Sequence, residues 1–258
     1  WLVDNISLSQ NDMVIDPACG AGGFLSAVAQ YKMRKGGKNK DINSKLYGIE
    51  KDKYLSNLAY THISITTLET PNIACADSLA MIDDDGKAIK DDYLENFDVV
   101  LSNPPFGKKI VSTSDDIRRQ FELGYKWNYN PDTEIYKKTF KLLSNVPPQI
   151  LFIERIISLL KPGGKMGVVV PESMISNASH SYAVEYLKSK MKLSAVIGMP
   201  EALFKTSGKG GTHTKTCLII AEKKSTKSSN QIFMAEAKWC GNDSRGKIIN
   251  KNDLPQIS

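Results

Sequence analysis

Short apolar runs alternate with amphipathic stretches along the first half of this chain, and nearly every run stops on a polar residue or a turn former. Residues 13–16, 46–50, 72–77 and 97–102 are mostly apolar and end abruptly, the pattern of short strands buried in a sheet. Between them, residues 23–34 and 54–68 repeat apolar positions at helical spacing; Phe24, Leu25, Val28 and Tyr31 form such a face on the first. Strands alternating with helices predict an α/β fold, a doubly wound and mostly parallel sheet. Right-handed crossovers bring such strand ends to one rim, so Asp16, Glu50, Asp77 and Asn103 are expected to converge there.

The second half continues less regularly. Residues 149–160 read as an amphipathic helix stopped by Lys161-Pro-Gly-Gly164, and residues 165–170 as a strand closed by Pro171. Residues 181–192 suit a helix. Residues 193–197 and 215–221 suit two further strands, joined without a helix by Met199-Pro-Glu-Ala-Leu-Phe204 and the glycine-rich residues 205–211. That joint predicts an antiparallel strand at one edge of a seven-stranded sheet. Residues 1–12 resemble the tail of a helix and a polar turn. The resulting division is one domain over residues 1–222, with an insertion at 108–148, followed by a polar extension over 223–258 that takes no assignment.

The insertion lacks clear periodicity and is too long for an ordinary connection. It mixes Lys108, Lys109, Arg118, Arg119, Lys126, Lys137, Lys138 and Lys141 with Tyr125, Trp127, Tyr129 and Tyr136. Bases interleaved with aromatics suit phosphates and unstacked nucleobases. Asp115, Asp116, Glu122, Asp132 and Glu134 dilute that pattern, and a solvated surface loop is the alternative.

Composition adds limits. A net charge of +6 leans only weakly towards an anionic partner such as nucleic acid. No apolar run approaches the roughly 18–20 residues of a membrane span, so a cytoplasmic protein without membrane contact is expected. Cys19, Cys75, Cys217 and Cys240 show no C-x-x-C spacing, and His62, His180 and His213 stand far apart, so no metal site is expected.

The chemistry concentrates at two turns. Gly20, Gly22 and Gly23 follow the first strand and precede a helix, which makes a site for an anionic or carboxylate group, although many nucleotide binders share such a turn. Glu50, ending the second strand, can accept both hydrogens of a ribose diol; a solvated loop acid is the alternative. Asp77 can accept a hydrogen from an adenine amino group. At the fourth strand end, Asn103-Pro-Pro-Phe106 offers the Asn103 side-chain carbonyl and the Pro104 carbonyl as paired acceptors for an exocyclic amine. Phe106 can stack on the ring carrying that amine, as flipped bases are held. The plainer reading is a strand-ending turn with a buried Phe.

With those residues in place, Asp16-Pro-Ala-Cys-Gly-Ala-Gly-Gly-Phe-Leu25 followed by Asn103-Pro-Pro-Phe106 resembles the amino-group DNA methyltransferases. It is most similar to the modification (M) subunits of type I restriction-modification systems, over about residues 10–222. The resemblance implies a Rossmann-like S-adenosylmethionine-dependent methyltransferase fold and methylation of the 6-amino group of adenine in double-stranded DNA. It assigns Asp16, Ala18, Gly20, Ala21 and Gly22 to the methionine part of S-adenosyl-L-methionine, Glu50 to the ribose, and Asp77 and Pro105 to the cofactor adenine. Asn103 and Pro104 would hold the target amine and Phe106 its base. It also implies a specificity (S) subunit, a restriction (R) subunit and a pair of modification subunits as partners. A helical domain and a further cofactor-contacting segment are expected upstream of Trp1. Rival readings are transfer to a guanine amine in RNA or a protein glutamine, a catalytically silent nucleic-acid-binding subunit, and a nicotinamide dehydrogenase, which leaves Asn103–Phe106 unexplained.

Overall fold

In the computed structural model, which describes residues 1–83, 85–89, 93–106, 114–201, 214–224, 231–243 and 247–257, each apolar run pairs as a strand. The first half holds β1 (Val14–Asp16), β2 (Leu46–Glu50), β3 (Asn72–Asp77), β4 (Ile82–Asp83) and β5 (Phe97–Ser102). The second half holds β6 (Tyr125–Asn130), β7 (Ile135–Leu142), β8 (Leu160–Pro171), β9 (Met191–Met199), β10 (Thr216–Lys223), β11 (Phe233–Glu236), β12 (Cys240–Asn242) and β13 (Ile248–Asn252). The helices are α1 (Leu2–Asn5), α2 (Gly23–Arg34), α3 (Asn39–Asn43), α4 (Lys53–Thr67), α5 (Asp115–Arg119), α6 (Pro148–Leu159), α7 (Glu172–Ser176) and α8 (Ser181–Lys190).

Among the described residues the main sheet has nine strands, in the order β11-β9-β10-β8-β5-β1-β2-β3-β4. From β8 to β3 the neighbours are parallel. The expected count of seven is short by β4 and β11. The first is a two-residue strand folded back on the end of β3. The second comes from the polar extension and pairs parallel with β9. Residues 232–235 are a short apolar run, but Phe233 and Met234 are exposed, so backbone pairing with β9 rather than burial makes this segment a strand. Antiparallel β10 is also not an edge strand, because it lies between β8 and β9.

Both faces of the sheet are covered, which explains why its strands read as continuous apolar runs. Ile15, Val100, Val168 and Ile219 pack under α6 and α8. Val14, Val99, Leu101 and Ile220 pack on the other side with α1 and α2. α6 starts on Pro148, whose missing N–H costs nothing at a first helical position, and buries Ile150, Leu151, Ile153 and Ile156. The stop at Lys161–Gly164 is absorbed into β8 as a bulge: Phe97 pairs with Leu160, while Val99 pairs with Lys165. The indole Nε1 of Trp1 donates to the Leu254 carbonyl at 2.8 Å, tying the last short turn to the first helix.

The described residues of the insertion, 114–148, form regular elements. Its α5 and a 3-10 turn (Glu122–Gly124) lead into a β6–β7 hairpin. Lys108 and Lys109, the glycine-rich residues 205–211 and His213 lie outside the described residues. Among the described residues, no helix is long and apolar enough to cross a membrane.

Candidate active site

Four strand ends meet at one rim, because β1, β2, β3 and β5 run parallel. They frame a cavity of about 370 Å³, within the roughly 300–1,000 Å³ range of small-molecule sites. The turn after β1 supplies Pro17, Ala18 and Gly20; β2 and the start of α4 supply Glu50, Lys51 and Leu55. The end of β3 supplies Ala76, Asp77, Ser78 and Leu79; the end of β5 supplies Asn103 and Pro105. Pro148 and Phe152 close the wall from α6.

Six of the expected site residues therefore share one cavity: Ala18, Gly20, Glu50, Asp77, Asn103 and Pro105. Asp16, Ala21, Gly22, Pro104 and Phe106 stand off its wall. Asp16 lies beneath the turn, 2% exposed. Its Oδ1 accepts from the Ala18 amide at 3.0 Å and from the Ser102 hydroxyl at 2.9 Å. Burial pushes this carboxyl up to about 7, against the lowering effect of those two donors, and the nearby Glu50 charge adds to the rise. Pro104 is buried beside an exposed Asn103, and Phe106 is half-buried. The Ala21 carbonyl meets Nδ1 of His62 at 2.9 Å.

Gly22 serves packing rather than contact with the cavity. It caps α2 at φ +81°, a left-handed conformation that glycine adopts without strain. A Cβ there would sit 3.4 Å from the Ala59 Cα on α4.

Glu50 is held by its own surroundings. Oε2 accepts from the Gly20 amide at 2.9 Å, and Oε1 from the Asp52 amide at 2.8 Å. A carboxylate offers about four acceptor positions, so two remain for a ligand. Asp77 is more fully engaged. Its Oδ1 accepts from the Leu79 and Ala80 amides, and its Oδ2 pairs with the Lys51 ammonium at 2.8 Å. Burial works to raise this carboxyl, but Lys51 and the two amides outweigh it and hold it below the usual carboxylate range.

Sequence reasoning missed Lys51, Leu55, Ser78, Leu79, Pro148 and Phe152. The first four follow the acidic strand ends within a few residues, so their position was the available signal. Pro148 and Phe152 are four apart on one helix face, but their approach to the cavity depends on α6 packing across β5.

The model of a family described as N-6 DNA Methylase matches residues 1–258. The Type I restriction enzyme EcoEI methylase subunit of Escherichia coli is 23% identical over 211 residues, covering 79% of this chain and 37% of that protein. A Listeria monocytogenes protein, lmo1582, assigned as a class I S-adenosylmethionine-dependent methyltransferase, superposes with a TM-score of 0.65 at 22% identity, covering 91% of this chain and 61% of that one. A chain from a structure describing complex assembly and conformational transition of the type I R-M system gives 0.70 at 21% identity, over 99% of this chain and 47% of that one. The chain thus spans between about a third and two thirds of the length of these relatives, and the solved structures share its α/β methyltransferase fold.

Proposed function

This chain belongs to the N-6 DNA methylase family, and from that premise we propose that it methylates the exocyclic 6-amino group of adenine in double-stranded DNA, using S-adenosylmethionine, as the modification subunit of a restriction-modification system. The observation that carries the reading is that Asn103, the strand-end amide beside two prolines, opens on the same cavity as Glu50 and Asp77. The donor set suits the cofactor. Glu50 keeps acceptor positions for a ribose diol, and Asp77 presents a carboxylate beside the apolar Leu55, Pro105 and Phe152.

When bound, S-adenosylmethionine supplies a methyl group on a cationic sulfur. The chain's part is orientation. The Asn103 side-chain carbonyl and the Pro104 carbonyl accept the two hydrogens of the target amine, which aims its nitrogen into the cavity and favours the positive charge developing there. Direct attack by that nitrogen needs no covalent nucleophile. Phe106 stacks on the flipped base, and Asp16 fixes the turn that carries Ala18.

We assign site recognition to a separate specificity subunit, with a restriction subunit and a second modification subunit completing the assembly. The similarity to a methylase subunit of a type I enzyme supports that division. The test is mass analysis of nucleosides after incubating the assembled full-length protein with labelled cofactor and DNA. Label in N6-methyladenine is the expected result. Label confined to RNA guanine or to protein glutamine refutes the DNA reading.

A further inference from the structure

We propose that the β6–β7 hairpin grips the sugar-phosphate backbone of the DNA beside the cavity, an inference that rests on the DNA substrate proposed above. The hairpin rises towards the rim that carries Asn103. At its foot, Oε1 of Glu122 lies 3.8 Å from the Lys190 ammonium, at the last residue of α8. The Glu122 and Leu123 amides both donate to the Glu154 carboxylate at 2.9 Å, halfway along α6. Higher up, Trp127 meets Tyr186 edge-on at 6.2 Å and stacks on Tyr182 at 6.5 Å. Tyr182 is in the first turn of α8, which leads into β9; β9 runs with β8, since both are antiparallel to β10. The first turn of α8 therefore lies at the rim, and β6 climbs to it.

One face of the hairpin is spent on packing. Trp127 lies against α8, the Tyr129 and Tyr136 rings meet at 4.9 Å, and Lys138 covers Tyr125. The register pairs Asn128 with Lys137, so Lys126, Asn128 and Lys137 face the other way, all exposed. Lys126, Lys137 and Lys141 form no ion pair among the described residues. Phe140 is fully exposed, with 101% of its reference surface open. Ammonium groups without an ion-pair partner among the described residues and a bare ring, on a projection that climbs to the rim, suit a polyanion with apolar sugar and base surface. A protein partner would be expected to bury the ring but leave several lysines to be neutralised.

The experiment uses the full-length protein in its assembled complex and short DNA duplexes of unrelated sequence, titrated at several salt concentrations. The variants are Lys126→Ala/Lys137→Ala/Lys141→Ala together, and Phe140→Ala alone. The triple variant is expected to weaken binding to every duplex and to flatten the slope of log affinity against log salt by about 2–3, close to one unit for each phosphate that is no longer neutralised. Phe140→Ala should weaken binding several-fold at an unchanged slope. Cofactor affinity should be unaltered in both, which checks that the fold survives. Wild-type affinity and slope in the triple variant overturn the proposal. So does impaired subunit assembly combined with a wild-type slope, which would make the hairpin a protein-docking element. Wild-type complex that binds duplex but methylates no adenine refutes the proposed reaction instead, and leaves the slope comparison to decide the hairpin.

Discussion

The Ser102 hydroxyl donates to Oδ1 of Asp16 at 2.9 Å, across the pairing of β5 with β1. Ser102 is fully buried and immediately precedes Asn103. The same carboxyl oxygen accepts from the Ala18 amide in the turn that lines the cavity. One buried carboxyl thus ties the strand carrying the proposed amine clamp to the turn carrying the proposed cofactor site.

Ser102→Ala is expected to loosen that tie. Removing a donor to a buried carboxyl costs about 1.5–3 kcal/mol of stability where the acceptor is charged. Methyl transfer should fall more than cofactor affinity does, since Asn103 loses its support while Glu50 keeps both amide donors. Paired measurements of turnover and cofactor dissociation constant decide this. Equal losses in both would mean that Ser102 supports the fold alone.

Asn103→Ala should leave cofactor binding near wild type and lower methyl transfer by about a hundredfold or more, the usual cost of one preorganised electrostatic group. Turnover of adenine in duplex DNA under single-turnover conditions is the measurement. Near-normal turnover would remove Asn103 from the amine clamp.

Glu50→Ala should weaken S-adenosylmethionine binding by about 1–3 kcal/mol, through the lost acceptor and through the Gly20 amide left without its partner. Calorimetry on the full-length protein reads this directly. An unchanged dissociation constant would return Glu50 to the role of a turn-bracing acid.

Asp16 predicts a pH dependence of the cofactor-free protein. Its folded-state value lies near 7, above the ordinary 3.8, because burial penalises the charged form. The favourable protonated state is complete below the unfolded value, and its contribution is lost as pH rises through the folded one. Between about pH 4 and pH 7 this loss is on the order of 4 kcal/mol, from 1.36 kcal/mol per unit. Urea unfolding of wild type and Asp16→Asn across that window should show the wild type losing stability relative to the variant as pH rises. Parallel pH profiles would show that Asp16 does not titrate there.

The strand ends were legible from the sequence because the information is local. Buried strands need apolar runs, and glycine, proline or an acid must end them, so Glu50, Asp77 and Asn103 declare themselves in order. Parallel pairing with right-handed crossovers then allows one common rim. What the sequence left open depended on contacts between distant segments. Asp16 reads like the other strand-end acids, yet the pairing of β1 with β5 buries it against Ser102 rather than on the cavity wall. Pro148 and Phe152 reach the cavity only because α6 packs across the sheet. The aromatics Tyr125, Trp127 and Tyr129 alternate as a strand should, but β7 carries Lys137-Lys138-Thr139 at its centre, and only contact with Tyr182 and Tyr186 selects the packed face. β11 is exposed on most of its surface and is a strand because β9 offers it backbone partners. Local pattern records which residues avoid water; tertiary packing decided which polar groups line the cavity and which brace it from beneath.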